Sequence, residues 1–239
     1  MAPSIADQTE AELGGLLSVL TRQRRDHVRL DRLLHELDGA SGERQQDVLR
    51  RLYRLVFPHA FAEESVLWPT MRRVLPDGQQ LTLEVEREHQ EVNELVTALE
   101  GLPVGDRRRG PLLDRLAEVL REDVRDEEDE LFPRLQARVD RRTLRRLGVL
   151  WEVVRRVAPT RAHPVVARRP PGNVLSALPL SVIDRLRDVA DWAAARGPAR
   201  SRPGLRGFSR RLGAVGHAVE RMPLLRMGED PSTRVALPR

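Results

Sequence analysis

Two stretches of the chain are versions of one another, HAFAEESVLWP over residues 59–69 and DVRDEEDELFP over residues 123–133. Each reads His or Asp, three variable positions, Glu-Glu, two variable positions, Leu, an aromatic and Pro. Upstream of each lies a second matched pair. Residues 26–38, DHVRLDRLLHELD, and residues 88–100, EHQEVNELVTALE, share an acid, a His and apolar residues at the same spacing. The offsets are 62 residues for this pair and 64 for the other. The body of the chain therefore reads as one helical hairpin used twice, with the two copies related by a pseudo-twofold.

Working outward, apolar residues recur at helical spacing, as in Leu16, Leu20, Leu30, Leu33, Leu34 and Leu37, and the alternation of strands is missing. Punctuation predicts a first helix ending near Gly39 and a second from about Glu43 into Pro69. A third runs from about Gln79 to Glu100, a fourth from about Pro111 to Val139, and Ser41 and Asp77 stand as N-caps. Short loops favour antiparallel neighbours, so the expected fold is all-α, an up-and-down antiparallel four-helix bundle. An additional helix from about Arg142 to Val157 packs on its outside. Leu67, Trp68, Leu131 and Phe132 are expected at the bundle-end core, and Pro69 and Pro133 disfavour continued regular helix. Pro58 is expected to kink the second helix beside His59.

Residues four apart share one face of a helix, so His59 and Glu63 can address the same atom, as can Asp123 and Glu127. A bundle gathers inward-facing side chains at one level, which adds His27 and His89. A solvated face has no reason to place these types at the same phase in both halves. The candidate metal ligands are thus His27, His59, Glu63, His89, Asp123 and Glu127. With no Cys in the chain, any metal must be held by His, Asp and Glu. Imidazole with carboxylate suits iron, manganese or zinc, and a twofold-related set suggests two ions. His35 has Thr97 as its counterpart and reads as surface; His163 and His217 lie in Pro- and Arg-rich surroundings and are not expected to be ligands. Glu64, Glu128, Asp129 and Glu130 read as a solvated face.

At these residues the chain resembles the hemerythrin-like, or HHE cation-binding, family. The resemblance covers roughly residues 10–140 and rests on Asp26-His27, HAFAEESVLWP, the EREH that ends at His89, and DVRDEEDELFP. It implies a four-helix bundle around a non-haem di-iron centre that binds or senses O₂, NO, redox state or iron. Carried over residue by residue, it implies ligands at His27, His59, Glu63, His89 and Glu127. The departure is Asp123, where the family usually has His. The family's oxygen carriers also have a second His in helix three, where this chain has Val85. Glu86, one turn before His89, reads as a solvated neighbour, with a ligand role as the lesser alternative.

The 239 residues carry a formal net charge of +5, and every basic residue is Arg. Residues 1–150 hold 24 Arg against 29 acids, and residues 151–239 hold 17 against 7. Ten of the 17 prolines also fall in the second part. The expected organisation is a bundle with its packing helix over 1–157, then a Pro/Arg-rich linker and a loosely ordered basic tail over 158–239. The tail contains an amphipathic stretch over 178–197 and is expected to fold back against the acidic body, with an anionic membrane or an acidic protein partner as the alternative. Aromatics at 3% argue against single-stranded nucleic-acid platforms, and no nucleic-acid motif is visible. With neither a signal peptide nor an apolar run of membrane-spanning length, the expected location is cytoplasmic. No nucleophile or phosphate loop marks an enzyme. A metal-binding protein or sensor is the first expectation, and a metal-free helical scaffold acting through its basic tail is the alternative.

Overall fold

The computed structural model describes residues 3–235, which are helical with no strand among them. The repeated hairpin is built as α1 (Val19–Asp38) with α2 (Gly42–Ala62) and α3 (Trp68–Val74), then α4 (Gly78–Glu100) with α5 (Arg109–Asp126) and α6 (Phe132–Gln136). Helices α2 and α3 are joined by a π-helical turn, Glu63–Leu67, and α5 and α6 by another, Glu127–Leu131. The four-helix bundle is as expected, but its second and fourth rods are three-part. The prolines account for this: Pro69 and Pro133 cannot donate to the carbonyl four residues back and would clash with it, and a widened turn relieves both problems without ending the helix. Pro58 lies inside α2, which continues through it.

The start signals place the helices but cap them differently. Ser18 accepts from the Leu20 amide at the head of α1. Ser41 and Asp77 occupy the N-cap positions without capping bonds. Asp77 is instead held by Arg134, 2.5 Å away.

Two apolar clusters fill the bundle, one toward each end. Leu30, Leu34, Leu52, Val96, Leu99, Leu116 and Leu120 belong to the first. Leu20, Leu67, Trp68, Met71, Val85, Leu131, Phe132 and Leu135 belong to the second, closed from outside by Trp151 of α7 (Arg141–Val157). The aromatic pair expected at the core is there, with Trp68 and Phe132 fully buried. Between the clusters each rod contributes polar residues, so a buried polar layer crosses the bundle at mid-height.

Past α7 the chain is more ordered than its Pro and Gly content suggests, a correction to the loosely ordered tail. The linker runs back along α4: the His163 amide donates to Asn93 Oδ1 (2.9 Å) and Arg168 Nη2 to Gln90 Oε1 (2.6 Å). Two helices follow, α8 (Gly172–Arg196) and α9 (Arg202–Glu220). They pair antiparallel at small residues, with Gly213 against Arg187 and Gly216 against Ile183. Buried ion pairs seat the hairpin, notably Arg161 on Asp188 (2.9 Å) and Asp191 (2.6 Å). No helix among the described residues is long and apolar enough to cross a membrane.

Candidate metal centre

The polar layer is where the two hairpins meet. His27 comes from α1, His59 from the end of α2, Glu63 from the first π turn, His89 from α4, Asp123 from the end of α5 and Glu127 from the second π turn. Their donor atoms fall into two groups, each within 4.8 Å: His27, His59, Glu63 and Glu127, and His89, Asp123 and Glu127. Glu127 belongs to both. All six side chains are buried or nearly so, Glu63 completely and Glu127 with 1% exposed. Each π turn opens on its central glutamate. The widened turn changes the helical phase, so that Glu63 and Glu64, or Glu127 and Glu128, reach different partners.

What the layer lacks is internal satisfaction. Buried carboxylates normally accept several hydrogen bonds. Here His27 Nε2, both carboxylate oxygens of Glu63 and of Glu127, and Asp123 Oδ1 have no hydrogen-bond partner among the described residues. His27 Nε2 lies 3.1 Å from Glu127 Oε2, and His59 Nε2 lies 3.1 Å from Glu63 Oε1, close in distance but off hydrogen-bond geometry. His89 Nε2 is 3.7 Å from Glu63 Oε2 and 3.6 Å from Asp123 Oδ1. Leaving such groups dry and unpartnered costs several kcal/mol, roughly 1–3 for each. Cations at the centre would remove that cost, and the mixed imidazole and carboxylate donors fit Fe, Mn or Zn.

The outer nitrogens are all engaged. His27 Nδ1 is 2.8 Å from Glu128 Oε1, His89 Nδ1 is 3.0 Å from Glu64 Oε1, and His59 Nδ1 is 3.3 Å from Asp26 Oδ2. A carboxylate on Nδ1 fixes the tautomer and aims Nε2 inward. The solvated-face reading of Glu64 and Glu128 is therefore corrected: both work on histidines of the other hairpin, whereas Asp129 and Glu130 do face solvent. The signal was present, since the Glu-Glu doublet repeats in register. Aromatic plates complete the wall. Phe132 stacks on His27 at 6.2 Å between centroids and Trp68 on His89 at 6.4 Å, the same relation in both hairpins.

The pseudo-twofold fails at one place. Asp26 precedes His27 and holds His59; by the same relation Glu88 precedes His89 and meets Asp123, a carboxyl where an imidazole would stand. Burial, with Asp126 adding to it, pushes Glu88 up to about 7, and burial together with Glu127 holds Asp123 well above its ordinary value. The histidines shift the other way. Burial opposes protonation of His27, yet Glu127 and Glu128 hold it up to about 9; for His89, Asp123 and Glu64 overcome the same burial and hold it at about 10.

The remaining candidates stay outside the layer. Glu86 is fully buried and turned away, gripped by Arg72 (2.5 Å) and Arg169 (2.6 Å), so it is neither the solvated neighbour expected nor a ligand. Val85 is in the core. His35 is exposed beside Asp31, and His163 and His217 contact Glu220 in the tail. A cavity of about 20 Å³ adjoins His27, His59, His89 and Asp123, walled by apolar residues that include Leu30, Leu55, Val92 and Leu120. That is space for one very small molecule.

Comparison with known proteins agrees with this geometry. The profile of the hemerythrin HHE cation binding domain matches residues 18–135. An uncharacterized hemerythrin-like protein of Schizosaccharomyces pombe is 26% identical over 134 residues, which are 56% of this chain and 66% of that protein, just under two thirds of its length. No solved structure matches the chain at a significant level. Residues 18–135 thus match the hemerythrin HHE cation-binding domain, and over that span the chain is hemerythrin-like.

Proposed function

We propose that the protein holds two non-haem iron ions in the polar layer and uses them to bind or sense O₂, NO or peroxide. The observation that carries this reading is Glu127, one buried carboxylate common to two donor groups, with neither oxygen hydrogen-bonded among the described residues. His27, His59, Glu63 and Glu127 would hold one ion and His89, Asp123 and Glu127 the other. When bound there, iron would supply a redox-active centre for a diatomic or peroxide ligand.

The chain's own residues do the rest. Glu128, Glu64 and Asp26 keep the three Nδ1 positions protonated and the Nε2 lone pairs aimed inward. Trp68, Phe132 and Trp151 exclude water from one side, and the small apolar cavity limits entry by size. Asp123 brings a negative charge where the family usually has a neutral imidazole, and so favours the ferric state.

Iron loading under anaerobic conditions, followed by exposure to O₂ and separately to NO, tests the reading by optical spectroscopy. New visible bands that need iron and vanish in Glu127→Ala are expected. Fully folded protein that takes up no metal would instead favour the metal-free scaffold.

A further inference from the structure

Helix α8 leaves most of its large apolar side chains outside. A helix packed on a protein body ordinarily buries its apolar stripe and presents polar residues to water. Here the inner face buries Asn173, Ser176, Asp184 and Asp188 among alanines, with Leu180 its one large apolar side chain. The outer face carries Leu175, Leu178, Val182, Leu186, Val189 and Trp192, with exposures from 43% at Leu175 to 66% at Leu178. Steps of three and four residues align these six on one stripe, about 26 Å long at the rise of a helix. The end of α7 adjoins it: Arg185 donates to the Arg156 carbonyl, and the neighbouring Val157 is also exposed.

Charge is sorted in the same direction. The four acids of the α8 and α9 hairpin turn inward, Asp184 and Glu220 onto His163, Asp188 and Asp191 onto Arg161. Arg185 and Arg196, on the stripe's side of α8, are exposed and pair with no carboxylate among the described residues. Arg196 lies over the Trp192 ring, 5.3 Å from its centroid, so the stripe ends in a cation seated on an aromatic.

We infer that this face docks on an anionic lipid surface, with α8 lying in the headgroup plane, its apolar stripe at the acyl boundary and the arginines on lipid phosphates. An apolar stripe with cations beside it and the acids removed from view is the arrangement an anionic interface selects. A second copy of the chain docking through this same face would set arginines against arginines, and nucleic acid would leave the stripe in water.

The test uses the full chain and vesicles of phosphatidylglycerol and phosphatidylcholine in equal parts, with pure phosphatidylcholine as the comparison. Trp68 and Trp151 are buried, so Trp192 is the tryptophan that an aqueous quencher reaches. Its emission is expected to shift to the blue and lose quencher access on mixed vesicles. Affinity is expected to fall at least about tenfold on pure phosphatidylcholine, and again in a Leu178→Asp, Val189→Asp variant, since each apolar side chain withdrawn from the interface is worth about that much. Both positions are exposed, and circular dichroism verifies that the variant is folded. Absence of vesicle binding overturns the inference, as does binding that the variant leaves unchanged. A concentration-dependent dimer lost in the variant, without vesicle binding, assigns the stripe to a second copy; retention on polyglutamate alone assigns it to an acidic protein.

Discussion

At the scale of single residues, the centre is a set of carboxylates doing two jobs. Glu63 and Glu127 point inward without hydrogen-bond partners among the described residues, and their sequence neighbours Glu64 and Glu128 point outward onto imidazoles. Replacing Glu64 by Gln should leave the fold intact and lower metal affinity about 10–100-fold, the usual effect of losing such a support, as titration with a competing chelator would read. Asp123→His should give Glu88 an imidazole to hold and remove one negative charge from the centre. The reduction potential of the iron-loaded variant should then rise by on the order of 60 mV, a tenfold change for a one-electron couple; no rise in protein film voltammetry would contradict the role given to Asp123. The six candidate ligands were legible because the duplication repeats them in phase. The repeated Glu-Glu doublet marked Glu64 and Glu128 as a pair, but their role and that of Asp26 were not legible, because an acid that orients a buried imidazole and an acid that faces water are the same letter. Only the fold shows that each doublet opens a π turn.

At the scale of elements, helix identity followed from apolar spacing, and the ends of α1, α4 and α7 fell close to their expected positions. The π turns were not legible, although their cause was, in Pro69 and Pro133. Close helix approach was equally hidden. Gly148 lies in α7 where that helix crosses the start of α1, and a Cβ there would sit 2.0 Å from the Leu17 carbonyl oxygen. Gly→Ala in a helix ordinarily stabilises, by about 0.4–1 kcal/mol. Gly148→Ala should do the opposite, costing roughly 1–3 kcal/mol by overpacking against backbone. Gly207, inside α9, has nothing within 4 Å of its virtual Cβ, and its Ala variant should gain up to about 1 kcal/mol. Chemical denaturation of the two variants checks the pair, and equal signs would contradict the packing described for α7.

At the scale of the whole molecule, the charge division of the sequence became a seam. The basic segment folds back on the acidic body, and its own few acids are spent inside that seam rather than on the surface. Composition suggested loose order because Pro and Gly counts carry no position; in the fold, Gly213 and Gly216 let α9 approach α8. His163 locks the seam between Asp184 of α8 (3.2 Å) and Glu220 of α9 (3.0 Å), with Arg161 two residues away and His217 on the far side of Glu220. Burial opposes its protonation, but the two carboxylates raise it from 6.5 to about 9, while their own values are lowered. A raised histidine stabilises fully below 6.5 and loses that contribution as pH climbs toward 9. The lowered carboxylates contribute fully above their ordinary range and lose it as pH falls below. Stability of the tail should therefore be greatest between the carboxylate range and 6.5, declining toward 9 by on the order of 3 kcal/mol, and His163→Gln should flatten that decline in thermal melts. The central claim is tested most directly by metal stoichiometry: iron-reconstituted protein, desalted and measured by mass spectrometry of the bound metal, beside Glu127→Ala. About two irons per chain in the parent and a loss from both positions in the variant is the predicted result; a parent that retains none, or a variant that still holds two, would contradict it.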